Sequence, residues 1–306
     1  MAHEVESMFY VREVPWHGLG INVEDAPCSA TALKHSGLDW NVLRKPIQVN
    51  GKEIEDYFAN VRDSDDKVLG IVGKDYRIVQ NREAFAFTDM LLGQEGIRYE
   101  SAGSLQGGKR VWMLACMESR VILGDEIVPY LLFTNGHDGR HAVRVAITPI
   151  RVVCQNTLNL ALRKAQRSWA TIHIGRLEDK LQEATRTLQL TGRYMYELDQ
   201  TAERLVETRI DDERLKELIE KVIPLPEDYR RHNRVHELRQ ELLARYHNAP
   251  DLQRFRGTGW GFVNAVSDMV GHSKPKRLTP SFNENRFSRV TGGSAELDRA
   301  TRFLTA

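Results

Sequence analysis

Hydrophobic and polar positions follow two different periods in the two halves of the chain. Between residues 41 and 134, apolar and polar residues alternate in short runs separated by Gly, Asn and Asp. A period of two, broken by turn-forming residues such as Gly107-Gly108, is typical of antiparallel hairpins. Strands are predicted over 41–49, 54–62, 68–72, 76–79, 97–105, 109–117, 120–123 and 127–134. The first half therefore predicts an antiparallel sheet.

Two helices interrupt this pattern. The first covers Arg82–Leu92 and follows the phrase Arg77-Ile78-Val79-Gln80-Asn81. The second is predicted to begin at Asn156, a residue type that caps helix N-termini. Its apolar face would consist of residues spaced four, three and four apart, namely Leu158, Leu162, Ala165 and Trp169. Because Arg151–Asn156 nearly repeats the earlier phrase, the chain has either a repeated hairpin-then-helix unit or two uses of one capping device.

After residue 175 the apolar period changes to that of a helix. Alternating spacings of four and three residues continue over residues 177–205, which is a heptad seam long enough for a coiled coil. The seam residues are Leu177, Leu181, Ala184, Leu188, Thr191, Met195, Leu198, Ala202 and Leu205. A second copy of the chain, or another helix of the same chain, would cover the seam. A homo-oligomer formed through this helix is expected.

These patterns predict an α+β protein. An antiparallel, hairpin-rich sheet with two inserted helices would be followed by a mostly helical C-terminal region that contains the long heptad helix. The expected domains are a β-rich core over residues 1–172 and a helical region over residues 173–306. Further helices are predicted over 211–222, 227–246 and 295–304, with a short helix that begins near Trp260.

Positive charge is concentrated in one segment of a nearly neutral chain. The 306 residues include 43 Lys and Arg against 42 Asp and Glu, whereas residues 140–176 contain seven Lys or Arg and no acidic residue. Such clusters are typical of proteins that bind polyanions. The candidate nucleic-acid-binding residues are Arg140, Arg144, Arg151, Arg163, Lys164 and Arg167. For any single Arg, a solvated surface position is the alternative. A second basic group follows at Arg230, Arg231, Arg234 and Arg239.

No catalytic constellation is found, and no cofactor or metal is predicted. Residues 103–110 nearly match a phosphate-binding loop, but Arg110 replaces the hydroxyl that would hold Mg²⁺, and a strand follows instead of a helix. His137 and His141 flank Asp138 without a third ligand at a defined spacing, so we expect a solvated or phosphate-facing pair. Cys28, Cys116 and Cys154 lie too far apart in sequence for a zinc knuckle.

The expected location is the cytoplasm. The three dispersed cysteines fit a reducing compartment. The N-terminal residues include acidic side chains and lack the apolar core of a secretory signal. No stretch of the sequence approaches the roughly 20 apolar residues that cross a bilayer.

Several phrases of the sequence resemble one family. They are Pro15-Trp16-His17-Gly18-Leu19-Gly20, Gly73-Lys74-Asp75-Tyr76-Arg77-Ile78-Val79-Gln80-Asn81, Ala102-Gly103-Ser104-Leu105 and Thr148-Pro149-Ile150-Arg151-Val152-Val153-Cys154-Gln155-Asn156-Thr157-Leu158-Asn159. In this order they look like the phage/plasmid-like protein family with domain of unknown function 932, over about Met8 to His272. The resemblance implies a protein of a phage, prophage or plasmid that handles or protects incoming DNA in a bacterial host cell. It supplies no catalytic residues.

The sequence supports two main alternative hypotheses for the function. The first is a non-catalytic protein that binds nucleic acid, with single-stranded DNA favoured; an annealing protein of the recombination type is one form of it. Trp112, Trp169 or Tyr76 would then be available for base stacking, although core positions are the alternative for all three. The second is an anti-defence or inhibitor protein that binds a host protein. An enzyme acting on DNA is a third, weaker hypothesis, and the sequence leaves open whether DNA or RNA is preferred.

Overall fold

The computed structural model describes residues 5–11, 20–26, 28–92, 98–151, 156–157, 160, 162, 168–173, 191–274 and 293–305. The described chain is an α+β protein with antiparallel sheets and a helical C-terminal region, as the sequence predicts. It divides into two compact units. Unit 1 contains residues 1–118, 130–147 and 167–191, and unit 2 contains residues 119–129, 148–166 and 192–306. The units are interleaved along the chain, whereas the sequence suggested one division near residue 172.

The described part of unit 1 contains two sheets and two helices. The strands with all or part of their length in this unit are β1 (Val5–Val11), β2 (Ile21–Val23), β3 (Val42–Val49), β4 (Lys52–Arg62), β5 (Val68–Gly73), β6 (Arg98–Leu105), β7 (Arg110–Cys116), β9 (Asp125–Gly136), β10 (Val143–Arg151) and β12 (Ser168–Thr171). The helices are α1 (Ser29–His35) and α2 (Asn81–Leu92). The larger sheet has the order β10-β9-β7-β6-β1-β2, with β12 also paired to β10, and the smaller sheet has the order β3-β4-β5.

The β6–β7 hairpin shows how turn residues set the register of the larger sheet. Gly107 and Gly108 have φ angles of +66° and +87°, a region that glycine enters without steric cost. The turn aligns Leu105 with Arg110 and Gly103 with Trp112 along the ladder. This register directs Met113 into the core, where it is completely buried. The hairpin predicted around Gly107-Gly108 is therefore confirmed.

Unit 2 is built around one apolar helix. Its helices are α3 (Thr191–Glu207), α4 (Asp212–Val222), α5 (His232–Asn248), α6 (Gly259–His272) and α7 (Ala295–Thr305). The short strands β8 (Arg120–Ile122) and β11 (Asn156–Thr157) pair with the parts of β9 and β10 that belong to this unit. Trp260, Phe262 and Val266 of α6 are completely buried, and α5, α7 and β11 pack against this helix.

The second half of the heptad seam lies in α3. Met195, Leu198, Ala202 and Leu205 are each at most 1% exposed in the single chain. Leu205 lies beside Gly259, at the start of α6. The described part of the seam is therefore covered by the chain itself, and residues 177–190 lie outside the described residues.

The helix predicted from Asn156 is wrong at both of its described ends. Asn156 lies in β11, where it pairs with Arg151 of β10 in an antiparallel ladder. Trp169 lies in β12, opposite Val145 of the same strand β10. Both segments satisfy the backbone groups on one edge of β10, and this tertiary pairing overrides the local helical spacing. The two nearly identical phrases therefore differ in structure, because Asn81 begins a helix and Asn156 is in a strand.

The strand predicted over residues 76–79 is also wrong, because this segment pairs with side chains and a loop. The Gln80 side chain accepts a hydrogen bond from Val42 N at 2.9 Å and donates one to Val42 O at 2.9 Å. Asn135 Nδ2 donates to Val79 O at 2.9 Å, and Arg77 N donates to His173 O at 2.7 Å. Val79 O and Arg77 N are thus bonded to a side chain and to a loop carbonyl instead of a neighbouring strand, so alternation alone did not identify a strand.

Candidate nucleic-acid interface

The loop between β9 and β10, which carries the first candidate residue, is fixed by hydrogen bonds from three elements of unit 1. His137 N donates to Lys109 O at 2.8 Å, which extends the pairing beyond the end of β9. The hydroxyl of Tyr76 donates to Gly136 O, and Asn60 Nδ2 donates to His137 O, both at 2.8 Å. These bonds hold the backbone of residues 136 and 137, which lead into the loop that carries Arg140.

Asp138 organises the next turn of this loop. Its Oδ1 accepts hydrogen bonds from the backbone N–H groups of Arg140 and His141 at 2.9 and 3.1 Å, and its Oδ2 lies 2.9 Å from His141 Nδ1. Burial raises the pKa of Asp138, but the hydrogen bonds from the His141 ring and the two amides outweigh burial and lower it to about 2. The carboxylate stays ionised and fixes the backbone that presents Arg140.

His137 is completely buried, which corrects the expectation of a solvated or phosphate-facing residue. Its Nε2 lies 2.9 Å from Asn81 Oδ1, and its ring packs edge-on against Trp40 with centroids 5.4 Å apart. Burial, together with the nearby His173, lowers the pKa of His137 to about 3. Alternation does not signal this burial, because residues 131–137 are all buried and the two faces of the strand do not differ.

Arg140 and Arg144 form the cationic surface that the structure describes, and we call the two residues the Arg140–Arg144 surface. Both are exposed, one in the loop and one on β10. Within the described residues, neither guanidinium has a carboxylate or hydrogen-bond partner. Arg144 is aligned with Ala170 of β12, which is also exposed. Since paired residues share a face of a sheet, the small alanine leaves space beside Arg144.

The remaining candidate residues are distributed differently. Arg151 is the last residue of β10 and belongs to unit 2. Arg163, Lys164 and Arg167 lie outside the described residues. Arg140 and Arg144 therefore both lie in unit 1, one in the loop before β10 and one on that strand.

Each arginine of the second basic group has a carboxylate partner. Its ion pairs join Arg230 and Arg231 to Asp228, Arg234 to Glu237, and Arg239 to Glu220. Arg239 also donates to the carbonyl of Ile223 at 2.9 Å. These partners distinguish the second basic group from the Arg140–Arg144 surface.

The aromatic residues considered for base stacking are engaged within the protein. Trp112 and Trp169 are 6% and 8% exposed. Tyr76 stacks on His173 with ring centroids 4.6 Å apart and an interplanar angle of 16°. The strongly exposed aromatics of the described chain are instead Tyr57, Tyr196 and Tyr229. Stacking by the three predicted residues would require the folded structure to open.

A different surface of unit 1 is apolar and exposed. Leu43 and Val68 both pair with Val61 of the central strand β4, so they lie on the same face of the smaller sheet. Ile71 on β5 and Tyr57 on β4 continue this face. Leu43, Tyr57, Val68 and Ile71 are all exposed, whereas Val61 between them is buried. Alternation in the sequence predicts that apolar strand residues face a core. It therefore did not reveal that these four apolar side chains are exposed.

The described chain shows neither a cluster of metal ligands nor a membrane-spanning helix. No group of three or more His, Cys, Asp or Glu residues there could hold a metal ion. No helix in that part of the protein is long and apolar enough to span a membrane.

The fold and the Arg140–Arg144 surface define an α+β protein in which a hydrogen-bonded loop and the strand after it present two exposed arginines. The model of one family, Domain of unknown function (DUF932), matches residues 68–299. Because this match covers most of the chain, the protein belongs to that family, which confirms the resemblance to domain of unknown function 932. No curated protein and no solved structure matches the chain.

Proposed function

We propose that this protein binds nucleic acid without catalysing a reaction on it, with single-stranded DNA as the favoured form. The observation that carries the proposal is the Arg140–Arg144 surface, whose two guanidinium groups are exposed and lack partners among the described residues. Arginine without an internal carboxylate is free to form charge-assisted hydrogen bonds with phosphate oxygens. A role on phage or plasmid DNA, which the family resemblance suggests, is part of the same proposal.

The fixed loop supports this function. Binding a phosphate to a mobile arginine costs conformational entropy, and a preorganised loop reduces that cost. Asp138 holds the two amides that follow it, and Asn60 and Tyr76 hold the two carbonyls that precede it. Arg151, Arg163, Lys164 and Arg167 are proposed as further phosphate contacts along the chain.

The test measures binding to fluorescently labelled single-stranded DNA, duplex DNA and single-stranded RNA by anisotropy across a salt series. The variant Arg140→Gln/Arg144→Gln removes two positive charges from the surface. If each Arg contacts one phosphate, the slope of log K against log salt should become shallower by about 1.4, or about 0.7 per contact on a single strand. Preferred binding to single-stranded DNA would support the favoured form.

A matched control removes two charges elsewhere. The variant Lys34→Gln/Lys216→Gln changes two exposed lysines on α1 and α4 and should leave the slope unchanged. Circular dichroism checks that both variants are folded. Equal slopes for the two double variants would contradict the assignment of the surface, and no binding to any oligonucleotide at low salt would refute the proposed function.

The alternative is a protein that binds a host protein, for which the exposed apolar face of the smaller sheet is the supporting observation. Exposed apolar patches on soluble proteins commonly mark interaction sites. A photo-crosslinking residue at Ile71, compared with one at Lys216, tests this alternative. A discrete host protein crosslinked from position 71 alone would support it, and identical patterns from both positions would contradict it.

A further inference from the structure

Three polar side chains of unit 1 are completely buried around the end of β9. They are Asn60 of β4, Asn135 of β9 and His137, which immediately follows that strand. Each has one atom without a hydrogen-bond partner in the described structure, namely Asn60 Oδ1, Asn135 Oδ1 and His137 Nδ1. Asn60 Nδ2 bonds to the backbone of His137, and Asn135 lies two residues before His137 in the chain. We call these three buried residues the buried polar cluster.

The orientation of both amides follows from their partners. Asn60 Nδ2 lies 2.8 Å from His137 O, and Asn135 Nδ2 lies 2.9 Å from Val79 O. A backbone carbonyl only accepts hydrogen bonds, so the NH₂ group of each amide must face it. The oxygen of each amide is consequently directed away from these carbonyls and can only accept.

The tautomer of His137 follows by the same argument. Asn81 Nδ2 donates to Leu38 O at 3.0 Å, so Asn81 Oδ1 is the atom that faces His137 Nε2 at 2.9 Å. An amide oxygen accepts, which means that Nε2 carries the ring proton and Nδ1 is a bare acceptor. The cluster thus presents three acceptors, two amide oxygens and one imidazole nitrogen, with no matching donor in the described chain.

Protonation of His137 Nδ1 does not remove this excess of acceptors, because burial strongly disfavours the charged ring and lowers the pKa of His137 to about 3. Buried acceptors without partners are costly, and native proteins satisfy most of them through protein or ordered water. The occupant must therefore donate hydrogen bonds or be a cation.

The charges of the neighbourhood decide between these occupants. All three acceptors are neutral, and the nearby carboxylate of Asp138 is already bonded to His141 and to two loop amides. A metal cation here would be a buried charge without a compensating anion. We infer that the cluster of Asn60, Asn135 and His137 is an internal hydration site, which holds one or two water molecules that donate to these three acceptors.

This inference goes beyond the proposed function, although the water would sit directly beneath the loop that presents Arg140. Buried waters typically make about three hydrogen bonds to groups that are otherwise unsatisfied. The site is also closed to solvent, since all three side chains and the adjacent Trp40 are buried. Water held there should exchange slowly with bulk solvent.

The test is a high-resolution crystal structure of the full chain, grown in the presence of a metal chelator and accompanied by elemental analysis of the protein. The expected result is a solvent peak about 2.6–3.2 Å from His137 Nδ1 and from at least one of the two amide oxygens. An empty site would overturn the inference. A peak about 2.0–2.2 Å from Nδ1 with stoichiometric metal would also overturn it, because the occupant would be a cation.

A pair of variants separates the site from the loop around it. His137→Phe removes the imidazole nitrogen at similar size and should lose the solvent peak next to position 137. His141→Phe changes a half-buried imidazole of the same loop, outside the cluster, and should keep the peak. In solution, nitrogen NMR of wild-type protein should show the Nε2-protonated tautomer of His137, and the other tautomer would contradict the assignment even if no variant folds.

Discussion

Acid should destabilise this protein through His137. The folded chain keeps this ring uncharged because burial lowers its pKa to about 3, whereas the unfolded chain takes up a proton near the ordinary value of 6.5. Between these two values the unfolded state binds one more proton, so stability falls as the pH falls below 6.5 and the loss ends below pH 3. The change should not occur above pH 7.

The magnitude follows from the difference between the two pKa values. Each pH unit below 6.5 costs about 1.4 kcal/mol of unfolding free energy, so a change from pH 7.5 to pH 5 should cost about 2 kcal/mol through this residue alone. The result is insensitive to the pKa of the folded state, because any value below about 4 gives nearly the same loss at pH 5.

The assay is urea unfolding at several pH values, followed by tryptophan fluorescence. Trp40 is a local probe, since its ring lies 5.4 Å from the ring of His137. The variant His137→Gln keeps a donor for Asn81 and does not titrate, so it should lose about 2 kcal/mol less than the wild type over this range. The exposed His35 gives the control His35→Gln, which should behave like the wild type. Parallel curves for wild type and His137→Gln would refute the reasoning.

Two further predictions concern packing. Gly70→Ala places a Cβ 2.5 Å from the backbone of Asp138 and should lower the unfolding free energy by about 1–3 kcal/mol. Gly73→Ala is the control, because its Cβ meets only one atom, at 4.0 Å, and it should cost less. Equal losses for the two variants in thermal unfolding would contradict the contact between Gly70 and Asp138. Leu198→Ala removes a completely buried side chain and should cost about 2–5 kcal/mol in urea unfolding, at every protein concentration if the seam packs within the chain. A loss that depends on concentration would instead support the expected oligomer.

Much of the fold was predictable because its strands obey local rules. The β6–β7 hairpin needs only alternation and the Gly107-Gly108 turn, and both are visible in the sequence. The C-terminal helices follow in the same way from spacing and caps, such as Asp211, which accepts from Arg214 N at the start of α4. These elements form from interactions between residues that are near in sequence.

The errors occur where distant pairing decides the structure. Trp169 is spaced like a helical residue, but the edge of β10 offers it a strand partner. Segment 76–79 alternates like a strand, but its backbone bonds to the side chain of Asn135 and to the carbonyl of His173. Of the candidate site, Arg140 and Arg144 were predictable as exposed cations, whereas the ion pair of Arg239 was not, since its partner Glu220 lies 19 residues away in the sequence.

The interleaving of the two units has a consequence for synthesis on the ribosome. A chain with consecutive domains can complete its N-terminal domain before the next one emerges. Here β12 of unit 1 is made only after β8 and β11 of unit 2. The central helix of unit 2, α6, is made later still, so β8 and β11 are synthesised well before that helix. Unit 1 can therefore complete its larger sheet only once residue 171 has been made, and unit 2 can complete its core only after α6 follows. A chain truncated after residue 172 would keep β8 and β11 but lack the central helix of their unit.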